Sequence, residues 1–185
     1  MERIYDHVER VSQLASWVGG AAVLAIALMV TFDVLARNLL GVTITNAPEV
    51  AGYIFAAAIA FSFPIVVIRR ANIRIDTLYV LLPTPAARLL DVIGAFVLCL
   101  SAGVIAYFAA QTFWESWQAN STSISSLSAR LWIPQLFWAA GLVLFFAMTV
   151  FITAYATIAF FRRRWSDVER IAGLPSPKES LVDES

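Results

Sequence analysis

Residues 50–68 read VAGYIFAAAIAFSFPIVVI, and Arg69-Arg70 follow at once. No charge interrupts the stretch. As a helix it rises about 28 Å, close to the ~30 Å hydrocarbon core of a bilayer. Three other stretches share this property: Leu14–Phe32, Val92–Trp114 and Leu131–Phe161. The whole chain has 185 residues, 60% of them hydrophobic and 14% charged. A soluble core of that size cannot hide so much apolar sequence. The sequence therefore predicts an all-α membrane protein with four transmembrane helices, at about residues 14–36, 48–68, 87–116 and 132–161, within a domain spanning 14–165.

The charges orient these spans. Lys and Arg total 13. Arg3 and Arg10 precede the first span. Arg69, Arg70, Arg74 and Arg88 lie between the second and third. Arg162, Arg163, Arg164, Arg170 and Lys178 follow the fourth. With four spans these eleven share one side, leaving Arg37 and Arg130 on the other. Basic residues beside spans are retained in the cytoplasm, so the N and C termini are both expected there. The first span reads as an uncleaved signal anchor. Its leader carries Glu2, Asp6 and Glu9 beside its arginines, and its apolar run exceeds a signal-peptide core.

Residues 1–13 place Ile4, Val8 and Val11 on one helical face, which fits an interfacial N-terminal segment or the wet start of the first helix. Asn38–Ala47 is expected as a loop broken by Gly41. Asn46 is placed to cap the second helix, Pro48 suits its first turn, and Glu49 has capping-box spacing. Pro64 should kink that helix and free a carbonyl for Ser62 or neighbouring groups. After Arg69, Arg70 and Arg74, Asp76 is positioned to cap a short helix with Leu78, Leu81 and Leu82 on one face. This predicts an amphipathic interfacial helix between spans 2 and 3, its arginines near anionic lipid heads. Trp132 and Trp165 are interface markers at opposite ends of the fourth span. Residues 166–185 mix both charge signs with Pro175 and Pro177 and read as a disordered cytoplasmic tail.

The chain offers little material for catalysis. Cys99 is single and falls mid-span, where a small packing residue is expected. A thiol oxidoreductase needs paired cysteines, and a haem bundle needs axial ligands inside the bilayer; His7, the one histidine, precedes the first span. No cofactor, no metal and no nucleic-acid partner is expected. Membrane lipids are. Asp33 stands near the end of the first span with Arg37 one turn on, within reach for an ion pair. That pair reads as a neutralised group ending the helix, or as a polar contact to another helix. Arg37 also has Glu49 in prospect across the short loop. Asp33, Arg37 and Glu49 are thus candidate subunit-interaction residues.

The order of these motifs resembles the small membrane subunit of tripartite ATP-independent periplasmic (TRAP) transporters. Asp33-Val34-Leu35-Ala36-Arg37 is similar to the family's acidic-to-basic signature at the end of helix 1. Gly41 and a short loop lead to Glu49. Arg69-Arg70, then Asn72-Ile73-Arg74-Ile75-Asp76, resembles the basic turn after helix 2, and Leu81-Leu82-Pro83 closes it. The likeness covers about residues 10–162. Asn46-Ala47-Pro48-Glu49 lacks the aromatic and second acid common before helix 2, and Asn72 stands where histidine is common. The resemblance implies a non-catalytic subunit of the bacterial inner membrane. It would act as scaffold for a large multi-span transporting subunit, in ion-gradient-driven uptake of organic acids delivered by a periplasmic solute-binding protein. Two other readings stay open: a stand-alone small oligomeric transporter, and an assembly subunit of another membrane complex.

Overall fold

The computed structural model describes residues 2–41, 46–68, 84–125 and 127–162. They form four helices: α1 (Glu2–Leu40), α2 (Ala47–Ile68), α3 (Thr84–Gln118) and α4 (Trp132–Phe161). Each contains a segment long and apolar enough to cross a membrane: Trp17–Leu40, Ala47–Ile68, Leu89–Gln118 and Trp132–Phe161. The described residues therefore give the four expected helices able to span a membrane. The interfacial helix expected around Arg69, Arg70, Arg74 and Asp76 falls outside the described residues, as do Trp165 and the tail.

The helix ends follow local chemistry. α1 runs unbroken from Glu2, so residues 2–13 continue it. It also passes through Asp33 and Arg37 without ending. Asn38, Leu39 and Leu40, expected in the loop, are helical. The stop comes at Gly41, whose φ of 66° is the left-handed cap that glycine adopts without strain. α3 closes with a Schellman motif. Asn120 takes φ 49°, its amide donates to the Trp117 carbonyl, and the Ser121 amide donates to that of Ser116. At about 52 Å, α3 exceeds the bilayer core and must tilt or protrude.

The helices contribute to two compact units. One comprises Met1–Ile65 and Val104–Phe145; the other comprises Val66–Gly103 and Phe146–Ser185. The first is cored by small residues. Ala60, Ala109, Ala139 and Leu142 are buried together, with Phe113 and Trp138 against them. Lipid supplies no hydrophobic force to push helices together, so close backbone approach and dispersion hold them. Gly141 of α4 shows this most sharply. A Cβ built there would lie 2.8 Å from the carbonyl carbon of Ala60 and 2.9 Å from the Phe61 amide nitrogen. Pro64, itself fully buried, leaves the Ala60 carbonyl without its helical N–H partner. The sequence offered Ser62 for that carbonyl. Its hydroxyl instead donates to Ala58 O at 2.9 Å, because one helical turn back is its nearest acceptor. Phe63 and Phe145 pack nearby with tilted rings, centroids 5.3 Å apart.

α1 packs in the first unit by a seam of period seven. Gly19, Ile26 and Asp33 are buried; Ala22, Met29 and Ala36, interleaved with them, are half-buried. Gly19 brings α1 onto α2, its notional Cβ 3.1 Å from Ala58 O. This is the alternating three-and-four spacing of helices crossing at a shallow angle. The opposite face presents Leu24, Leu28, Phe32, Leu35 and Leu39, all exposed.

In the second unit Ala95, Ala102, Ile152, Ala156 and Ala159 are buried. The Thr153 hydroxyl donates to Ala95 O across the α3–α4 contact at 3.0 Å. Such interhelical bonds contribute about 0.6 kcal/mol in membrane proteins. Cys99 is half-buried in this part of α3.

Candidate functional site

Two polar groups of the first unit bear on the candidate site residues: an ion pair near the end of α1, and a cluster where α2 begins and the connection from α3 to α4 turns back. Arg37 Nη2 donates to Asp33 Oδ2 at 2.6 Å, as the four-residue spacing predicts. The two partners sit in different surroundings. Asp33 is 1% exposed and sits on the packing seam, seven residues before the helix ends, whereas the Arg37 side chain remains 54% exposed. The carboxylate is thus part of the helix packing and does not terminate α1.

Glu49 makes a different set of contacts. The Tyr53 hydroxyl, one turn along α2, donates to its Oε1 at 2.6 Å. The hydroxyls of Ser123 and Ser125 face the same carboxylate. Oε2 is buried without a hydrogen bond among the described residues. Of the two partners the sequence offered Arg37, the structure shows Asp33. The amides of Glu49 and Val50 are held by the Asn46 carbonyl, which starts the helix. Asn46 adopts φ 60°, a left-handed conformation asparagine tolerates better than most residues.

Ser123 and Ser125 are placed by a small backbone tie. Ser123 N donates to Ala129 O at 2.8 Å and Leu131 N to Ser121 O at 3.0 Å, around an antiparallel bridge between Thr122 and Arg130. The Ser125 hydroxyl accepts from Leu127 N at 3.2 Å, folding the tip. Trp117 and Trp132 meet edge to face at 4.6 Å where this connection joins α3 and α4. Trp132 thus appears as expected at the start of α4, and it gains a partner the sequence did not name. Beside the tie lies an open groove of about 590 Å³, its walls including Tyr53 and Ala57 of α2, Leu127 and Arg130 of the connection, and Ile133 and Phe137 of α4.

Tyr53, Ser123 and Ser125 were missed by sequence reasoning. Tyr53 was within its reach, being one turn beyond Glu49. So was Asp91, which precedes the third charge-free stretch and is 2% exposed in the second unit.

A chain with four helices long and apolar enough to cross a bilayer is a multi-pass membrane protein. Residues 26–163 match the family model described as tripartite ATP-independent periplasmic transporters, DctQ component. The match covers most of the chain, which therefore belongs to this family: it is a small permease component of a TRAP transport system. No curated protein and no solved structure matches it.

Proposed function

We propose that this subunit is a static scaffold in a bacterial inner membrane. It docks beside a large multi-span subunit that carries organic acids, driven by a sodium or proton gradient and supplied by a periplasmic solute-binding protein. The observation that carries this reading is the amount of apolar surface left uncovered. The four candidate spans bury only 17–28% of their most apolar windows within the chain. On α1 an entire stripe, from Leu24 to Leu39, faces outward. Lipid covers part of such a surface, and a larger partner fits the rest. The membership in a tripartite family supports the partners, and the eleven-to-two division of basic residues supports cytoplasmic termini. On this orientation the Glu49 cluster and the groove face the periplasmic side.

Two experiments test the proposal. Purified and placed alone in liposomes, the chain is expected to transport nothing. Reconstituted with the large subunit, the binding protein and a sodium gradient, it is expected to support solute uptake. Sodium-driven uptake by the lone chain would refute the scaffold role. Reporter fusions after Ser185 and within residues 120–129 are expected to read cytoplasmic and periplasmic, respectively. A periplasmic signal from the tail fusion would reverse the orientation.

A further inference from the structure

The groove between α2, α4 and the loop that joins α3 to α4 has walls and a mouth of different chemistry. Val50, Tyr53, Ile54 and Ala57 line one wall, at the three- and four-residue spacing of a single helix face, and Ile133 and Phe137 line the other. The α2 wall is about 10 Å long. Both walls belong to segments able to cross a bilayer. The mouth carries Arg130, and its guanidinium makes no ion pair or hydrogen bond among the described residues. Two residues on, Trp132 packs against Trp117. Tryptophans at helix ends sit at the level of the lipid headgroups. Arg130 is therefore a cation at headgroup depth above an apolar slot descending toward the hydrocarbon. A volume of about 590 Å³ is well beyond one side chain and within the range of ligand-sized sites.

We infer that this groove holds one anionic phospholipid, its phosphate on Arg130 and one acyl chain between α2 and α4. The charge of the mouth selects the headgroup, and the apolar walls take the chain. The inference rests on the spans and the groove, and is independent of the scaffold role proposed above.

The test uses the full chain in nanodiscs containing phosphatidylglycerol or phosphatidylcholine with a photoreactive group on the acyl chain, and labelled residues mapped by mass spectrometry. Labelling on the exposed α1 face, Leu24 to Leu35, reports bulk lipid. In the unaltered chain phosphatidylglycerol is expected to label Val50–Ala57 and Ile133–Phe137 several-fold more than that face. Ala57→Phe, which fills the slot, is expected to remove this excess and leave α1 labelling unchanged. Arg130→Ala is expected to cut phosphatidylglycerol labelling at least threefold and bring its ratio to phosphatidylcholine down to the value at α1. Equal labelling of groove and α1 face in all three chains would mean bulk lipid only and overturn the site. Loss of groove labelling when the large membrane subunit is added would assign the slot to a protein contact and overturn it equally.

Discussion

Replacing Gly141 by alanine is expected to lower the thermal stability of the detergent-solubilised chain, and Gly141→Leu to abolish recovery of monodisperse protein. Intrinsic helix propensity argues the other way. Alanine exceeds glycine by about 0.8–1 kcal/mol in an unconstrained helix interior. The contact decides the sign. The added Cβ would fall 2.8 Å from both the carbonyl carbon and Cβ of Ala60, and 2.9 Å from the Phe61 nitrogen. Two of these are backbone atoms, which cannot rotate away as a side-chain tip can. α2 and α4 must separate, and the Ala60–Ala109–Ala139–Leu142 core loosens with them. Overpacking of this kind costs about 1–3 kcal/mol for small insertions. Gly94 provides the control. Nothing lies within 4 Å of a Cβ built there, so Gly94→Ala is expected to leave stability equal or slightly raised. Adding Ala60→Gly to Gly141→Ala removes the Cβ–Cβ contact only, and should restore part of the loss. An unfolding midpoint for Gly141→Ala at or above that of the unaltered chain would show that the close α2–α4 approach is not what holds this unit.

The spans were legible because a charge-free run of bilayer length has one physical use. Their ends were less so. Counting from Leu14 to the width of a bilayer stops α1 near residue 36, but no residue before Gly41 favours leaving the helix, so it continues to Leu40. Counting from Leu14 gives the depth of Asp33 but not the face it occupies. The better signal was the seven-residue rhythm of Gly19, Ile26 and Asp33, which puts the acid on the packed face whatever its depth. Glu49 divides in the same way. Tyr53 follows from helical spacing alone. Ser123 and Ser125 reach Glu49 only because the Thr122–Arg130 bridge folds their loop, and nothing local in the sequence sets that pairing. The groove is of this second kind: its walls come from elements far apart in the chain, and Arg130 is unremarkable until they meet.

Arg37→Ala is expected to destabilise the chain by about 1–3 kcal/mol and to reduce co-purification with the large membrane subunit several-fold. The pair is asymmetric: Asp33 is almost wholly buried on the α1 seam, while the Arg37 side chain is half exposed. An exposed pair would contribute about 0–1 kcal/mol, whereas stripping the partner from a buried charge costs about 3–5 kcal/mol. Solvent reaching the guanidinium places this case between those limits. Asp33 keeps a further interaction besides Arg37, so the damage is the loss of its countercharge. Asp33→Asn in the Arg37→Ala background should recover part of the loss: the amide keeps the shape and removes the charge. Arg162→Ala, at the exposed end of α4, serves as the charge-removal control and should be neutral. Assembly is coupled to this pair through α1 itself. The seam that contains Asp33 fixes the rotation of the helix, and that rotation sets where the Leu24–Leu39 stripe points. If Arg37→Ala and Arg162→Ala leave both the unfolding midpoint and the recovery of the complex alike, the pair is a neutralised surface feature and the orientation of α1 is set by Gly19 and Ile26 alone.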